Sequence, residues 1–300
     1  MNAPILLTGC NGQLGFELQT ALTALGLPIL ALNHQTCDLS DHAALRRLLA
    51  EHRPSIIVNA AAYTAVDRAE TEPELANAVN ALAPGILGEA AAAIGALVVH
   101  YSTDYVFDGQ SAEPYRESDA PNPLNVYGHS KLAGERALQA SGAKHLIFRT
   151  SWVFGAHGNN FAKTMLRLAA ERETLNVVAD QYGAPTSAAL LAEVTAQILR
   201  EYLSSETFPF GLYHLTASGA TNWHAYAAHV IAAARDFYGN ARPSLKLAAD
   251  GLNAITASAY PLPAARPANS RLDCSLLQRR FGLRLPPWQE GVDRVLQQIL

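Results

Sequence analysis

Tyr127 and Lys131 stand four residues apart in the run Tyr-Gly-His-Ser-Lys. On a helix such positions share a face, so the spacing predicts an ammonium beside a phenol. A cation there favours phenolate and draws a tyrosine down from its ordinary pKa of about 10. Tyr127 could then pass a proton at neutral pH. Upstream, His100-Tyr-Ser-Thr-Asp-Tyr-Val-Phe-Asp-Gly109 gathers hydroxyls, carboxylates and aromatic rings at the end of an apolar strand. Tyr127, Lys131 and Thr103 are therefore the candidates for proton transfer to a carbonyl oxygen.

A second constellation precedes them. In Thr8-Gly-Cys-Asn-Gly-Gln-Leu-Gly15, glycines recur every third residue between a strand and a helix. Gly9 suits a tight turn, Gly12 the approach of backbone to a pyrophosphate, and Gly15 the packing of helix on sheet; Asn11, Gln13 and Leu14 complete the loop. The helix N-terminus would face the phosphates. An acid at the end of the second strand would bind an NAD ribose and repel the extra phosphate of NADP. Here the strand ends Leu32-Asn-His-Gln35, so NADPH is expected and NADH is possible. Asp38 and Leu39 suit the adenine, although Asp38 or Ser40 could equally cap the helix that follows. Ala61, Ala62 and Tyr63, in a run of small residues after the third strand, offer a floor on which a dinucleotide could lie.

These residues need a scaffold. Short apolar runs at Ile5–Leu7, Ile29–Leu32, Ile56–Val58, Leu97–His100 and His145–Phe148 alternate with helical patterns at Gly15–Leu25, Asp41–His52, Pro73–Ala93 and Tyr127–Ala140. Runs apolar on both faces suit central parallel strands. The expectation is an α/β protein: a Rossmann-like, doubly wound parallel sheet over residues 1–150, binding NAD(P), with a smaller α/β substrate lobe formed mainly by residues 151–300. Segments from the second half are expected to return to the sheet. Ligands would bind in the cleft at the C-terminal ends of the strands.

Composition narrows the field. Lys and Arg number 22 against 26 Asp and Glu, a net charge of −4, which offers no field for nucleic acid. The 3 cysteines are too sparse for a disulfide scaffold, and the 10 histidines form no metal-binding motif. The longest apolar stretch is about half the roughly 20 residues that cross a bilayer. No basic segment with an apolar core opens the chain. A cytoplasmic enzyme with no membrane partner is expected.

The glycine turn, Ser102-Thr103 and Tyr127 to Lys131 resemble the extended short-chain dehydrogenase/reductase family. Five blocks sharpen this: Asn59 to Glu70, Ser102 to Gly109, Arg149 to Gly155, Asp180 to Thr186 and Arg266 to Asp273 are similar, in order, to the dTDP-4-dehydrorhamnose reductases within it. The resemblance spans nearly the whole chain. It implies NAD(P)H-dependent reduction of the C4′ ketone of dTDP-4-dehydro-L-rhamnose, the last step of dTDP-L-rhamnose synthesis. Tyr127 would donate the proton, Thr103 would bind the same oxygen, and Lys131 would hold the nicotinamide ribose. Tyr101 would line the cofactor, Asp104 would orient sugar hydroxyls and Trp152 would pack on the sugar. Asn160 and Arg266 are further substrate candidates. Trp152 also suits the core, Asn160 a turn and helix cap, and Arg266 an exposed loop.

In some members of the family a magnesium ion held by glutamates from three helices bridges a dimer. Glu17 matches the first of these, but Ala189 and Gln298 stand at the other two. A hard cation needs several oxygen ligands. Neither that metal nor that dimer is expected, with Glu193 as the alternative carboxylate; a monomer or weak homodimer is. The rival functions are another nucleotide-sugar reductase or epimerase, and a non-catalytic NADP-binding regulatory subunit.

Overall fold

The computed structural model describes residues 3–238 and 245–300. Its centre is a six-stranded, wholly parallel sheet. The strands are β1 (Ile5–Thr8), β2 (Ile29–Leu32), β3 (Ile56–Asn59), β4 (Leu97–Thr103), β5 (Lys144–Thr150) and β6 (Gly211–His214), in the spatial order β6-β5-β4-β3-β1-β2. Every residue of β1, β3 and β4 is buried. Continuous apolar runs serve such strands because both faces are covered. Ile5, Leu7, Val58 and Val99 share a buried core with Leu14, Leu18 and Leu22 of α1 (Gln13–Thr23), while Leu6, Ile57 and Val98 share another with Leu45 and Leu49 of α2 (His42–His52). The expected parallel α/β sheet is present.

Helical pattern across 73–93 resolves into three pieces, not one helix. After α3 (Val66–Ala69) come α4 (Pro73–Asn77), a π-helical turn over Ala78–Leu82, and α5 (Ala83–Ile94). The cause is Pro84, which has no N–H to give the carbonyl four residues back at Asn80. The ladder slips by one, so that the Ala83 N–H meets the Ala78 carbonyl. This extra residue turns Asn80 inward, where it is buried.

The later chain forms α7 (Phe161–Glu171), α8 (Ala188–Ser204), α9 (Trp223–Tyr238), α10 (Ser275–Phe281) and α11 (Trp288–Ile299). Short strand pairs join Val153–Phe154 to Thr186–Ser187 and Leu175–Val178 to Leu252–Ile255. β6 pairs with β5, and α8 packs on α1. No described helix is long and apolar enough to cross a membrane.

The helix α6 (Val126–Ala140) starts where Asn125 accepts the Gly128 N–H at 2.8 Å. Tyr127, Lys131 and Glu135 then recur every fourth residue and form one stripe. Glu135 fixes that stripe to the sheet. Its carboxylate takes two bonds from Arg149 of β5, at 2.9 and 2.6 Å, and one from the Ser102 hydroxyl of β4. Both ions are buried, at 4% and 1% exposure, so neither could shed its partner into water. Breaking a buried pair leaves a charge uncompensated, at a cost of about 3–5 kcal/mol. Glu135→Ala is expected to lower unfolding free energy by about that amount in urea titration, against less than about 1 kcal/mol for removing the exposed partner Glu89 of Arg46.

Candidate active site

A cleft of about 1060 Å³ opens at the C-terminal ends of β1, β3 and β4. This is where the strand order reverses, between β1 and β3, the position at which open α/β sheets bind ligands. Its walls are the glycine turn, residues 59–64, residues 101–105, Tyr127, Lys131, residues 150–153 and Trp223.

At one end lies the glycine turn. Gly9 has φ +69°, and a Cβ there would meet the Ala61 backbone at 2.8 Å. A Cβ on Gly15 would lie 2.0 Å from the Gly9 carbonyl oxygen, so the turn and helix α1 could not close on each other with any larger residue. Gly12 caps α1 without a side chain, and no acid stands in the first turn. The free amides there suit an anion. The loop 155–160 braces this turn from outside: His157 Nε2 lies 3.0 Å from the Asn11 carbonyl, and Asn160 donates to Gln13 Oε1 at 3.1 Å. Asn160 also caps α7 by accepting from the Lys163 N–H. It is placed as a turn and cap residue, outside the cleft lining.

Asp38 lines the next part of the cleft beside Asn33, His34 and Leu39. Bonds from the Ser40 N–H at 2.8 Å and hydroxyl at 2.7 Å hold its carboxyl below the usual range. The cap of α2 is neither Asp38 nor Ser40 but Asp41, whose carboxylate accepts from the Ala44 N–H. Ala61, Ala62 and Tyr63 line the opposite side. Asn80 clamps this floor, donating to the Tyr63 carbonyl at 2.9 Å and accepting the Tyr63 N–H at 2.8 Å. The Tyr63 phenol donates to Glu72 at 2.6 Å.

The polar centre joins Thr103, Asp104 and Tyr127. The Thr103 hydroxyl donates to Asp104 Oδ1 at 3.0 Å, and the Tyr127 phenol lies beside that hydroxyl, close enough to feel it electrostatically. Burial raises the Asp104 carboxyl to about 6, opposed by the neighbouring Ser270 and Thr103 hydroxyls. Burial also pushes Tyr127 up to about 12; Thr103 opposes this and Asp104 adds to it. The expected lowering of Tyr127 by Lys131 is therefore not realised in this state. Lys131 Nζ donates to the Tyr101 carbonyl at 2.6 Å and sits 3.4 Å from His100 Nε2. With a side chain only 2% exposed, its own ammonium is disfavoured, and burial lowers Lys131 to about 8 against the pull of Glu135. Desolvation outweighs the attraction that helical spacing predicts. Tyr101 lines the cleft, with its phenol turned into the core in contact with the Thr195 hydroxyl at 2.6 Å and its carbonyl holding the lysine.

The chain's relatives fit this geometry. A family model described as RmlD substrate binding domain matches residues 1–300. The dTDP-4-dehydrorhamnose reductase of Salmonella typhimurium is 53% identical over 298 residues, covering 98% of this chain and 97% of that one. This chain belongs to the dTDP-4-dehydrorhamnose reductase family. Two solved members share its fold at 35% identity. The Clostridium acetobutylicum protein has a TM-score of 0.89, with 98% of each chain covered. The Bacillus anthracis protein, in complex with NADP, has a TM-score of 0.87, with 99% of this chain and 100% of that chain covered.

Further features of this family member were not visible in sequence. Trp152 takes a left-handed backbone, φ +49°, which lays its ring on Trp223 with centroids 3.6 Å apart and planes 13° from parallel. Both line the cleft, so Trp152 is more than core, and Trp223 is a site residue that nothing in its own segment signalled. Asn80 was hidden for a similar reason, since its inward turn depends on the slipped helix. Arg266 is not brought into the cleft lining. It pairs with Asp67 at 2.8 Å, and its guanidinium lies 5.9 Å from the centre of the Tyr105 ring.

The residues at the surface of α1, α8 and α11 do not fit a metal. Glu193 is near enough to raise Glu17, but Arg294 lies 3.3 Å from Glu193. Among the described residues no group of three or more His, Cys, Asp or Glu gathers as a metal site. For the dinucleotide the fit is good, and it rests on the closed glycine turn. Gly15→Ala must open that turn and is expected to weaken NADP binding at least about tenfold, roughly one to two lost amide contacts. Fluorescence titration of the variant checks this, and an unchanged dissociation constant would contradict it.

Proposed function

We propose that this chain reduces the C4′ ketone of dTDP-4-dehydro-L-rhamnose to dTDP-L-rhamnose with NADPH, the last step of dTDP-rhamnose biosynthesis. The observation that carries this reading is the Tyr127 phenol against the Thr103 hydroxyl inside a cleft that also reaches the open N-terminus of α1. The relatives' shared name and the NADP complex of the Bacillus anthracis protein support the substrate and cofactor. Residues 1–150 would act mainly as the cofactor domain and 151–300 as the substrate lobe, with β6 and α8 returning to the former.

When bound, the dihydronicotinamide supplies the hydride. Gly9, Asn11, Gly12, Gln13, Leu14 and Gly15 hold the diphosphate, Asp38 and Leu39 the adenosine, and Ala61, Ala62, Tyr63 and Tyr101 the remainder. The absence of an acid after β2 favours NADPH and permits NADH. Lys131 meets the nicotinamide ribose. Thr103 holds the substrate carbonyl oxygen, and as negative charge develops there Tyr127 releases its phenolic proton to it. A tyrosine raised to about 12 is still acidic enough to protonate an alkoxide, and burial keeps it protonated until then. Asp104, Trp152 and its stacking partner Trp223 would position the sugar, with Asn160 and Arg266 acting from further out. The enzyme would act in the cytoplasm, as a monomer or weak homodimer, on a nucleotide-sugar and not on nucleic acid.

Supplying dTDP-4-dehydro-L-rhamnose with NADPH or NADH tests the reading. Consumption of reduced cofactor with formation of dTDP-L-rhamnose is expected, and turnover without net loss of reduced cofactor would count against it. Tyr127→Phe should lower kcat at least ~100-fold, the low end for losing a general acid, with near-unchanged NADP affinity.

A further inference from the structure

A buried chain of polar groups crosses the sheet beneath the cleft and ends on Lys131. The Ala61 N–H meets Thr8 Oγ1 at 3.3 Å, and the Thr8 hydroxyl donates to Asn59 Oδ1 at 2.7 Å. Asn59 Nδ2 lies 3.0 Å from His100 Nδ1, and His100 Nε2 lies 3.4 Å from Lys131 Nζ. Thr8, Asn59, His100 and Lys131 are each at most 2% exposed, so water does not compete for these bonds.

The donors along the chain have one direction. Because Thr8 occupies the oxygen of Asn59, the amide NH₂ faces His100, and His100 Nδ1 must accept. A neutral imidazole that accepts at Nδ1 carries its proton on Nε2, the atom facing Lys131. His100 is neutral, since burial and then the nearby Lys131 hold it well below the usual histidine range. Its N–H therefore points at the amine of a lysine whose remaining fixed partner is the Tyr101 carbonyl. An ammonium has no lone pair to receive that donor, whereas a neutral amine does.

We propose that His100 is a positioning residue which, held as its Nε2–H tautomer by Asn59 and Thr8, weakens the hold of Lys131 on its proton and so makes the charge one helical turn along α6 from Tyr127 depend on pH. The inference rests on the assignment of Tyr127 and Lys131 to ketone reduction. The other charged and titratable groups around them are Glu135, one turn along α6 and paired with Arg149 of β5, and Asp104 and Tyr105, the latter packed edge-on against the Tyr127 ring. None of them supplies a second donor to Nζ. As pH rises through the Lys131 titration the ammonium is lost, the phenolate left after proton release is less stabilised, and reduction slows. The lysine burial seen here works in the same direction as the His100 donor.

The chain has only 4 lysines, so ¹³Cε-lysine NMR on the whole protein can follow Lys131, assigned with Lys131→Met. Its midpoint is expected at least about two pH units below the ordinary lysine value of about 10.4. Nitrogen-15 shifts of histidine should read His100 as the neutral Nε2–H form at pH 7. Thr8→Val, a neutral change three links from the lysine, frees the Asn59 amide to turn. It should raise the Lys131 midpoint by about half a pH unit or more, moving the basic limb of kcat upward by the same amount. An Nδ1–H or doubly protonated His100, a Lys131 midpoint among the other lysines, or a folded Thr8→Val protein with unmoved titration would each overturn the proposal. Should Thr8→Val not fold, the two measurements on the unaltered protein decide. Both are made without turnover, so an absence of ketone reduction would remove the functional reading while leaving them intact.

Discussion

The carboxylate of Glu135 is the point at which two strands and a helix are tied together. It takes bonds from Arg149 on β5 and Ser102 on β4, and it sits on the same stripe of α6 as Lys131 and Tyr127. An apolar contact would let α6 slide or roll over the sheet, because dispersion is non-directional. A two-pronged guanidinium–carboxylate pair fixes both distance and angle. The phenol two turns away then meets Thr103 without any restraint of its own beyond contact. This ion pair belongs to a broader pattern: the last residues of β4 and β5 are polar yet buried, and His100, Ser102 and Arg149 among them meet Lys131 or Glu135 of α6.

That pattern explains why proton affinities here run opposite to those of exposed side chains. Tyr127 is held protonated, Lys131 is eased toward neutrality, and Asp104 is raised to about 6. In each case the first cause is removal from water, and specific partners only trim the result. The helical spacing of Tyr127 and Lys131 is correct as geometry. Spacing alone says nothing about how deeply the pair lies, and depth decides the sign.

The parallel sheet, the places of its first five strands along the chain and the glycine turn were legible because they rest on local signals: apolar runs, cap residues and the need for small residues at fixed offsets. Tyr127, Lys131 and Thr103 were legible for the same reason. What stayed hidden depends on contacts between distant segments. Asn80 becomes a clamp only because Pro84 displaces the helix register, and Trp223 meets Trp152 only because one residue adopts φ +49°. Arg266 was a substrate candidate by its chemistry, yet it pairs with Asp67, 199 positions away. Composition carries no trace of such long-range pairings.

The stacked indoles have an optical meaning. Trp152 hangs from the end of the sheet and Trp223 from the first turn of α9, so two of the molecule's 3 tryptophans join the sheet to that helix. Rings 3.6 Å apart share their excited state. Any displacement of α9 relative to the sheet must part them and change both the intensity and the colour of the protein's ultraviolet emission, which makes the pair a built-in gauge of the geometry at this end of the cleft.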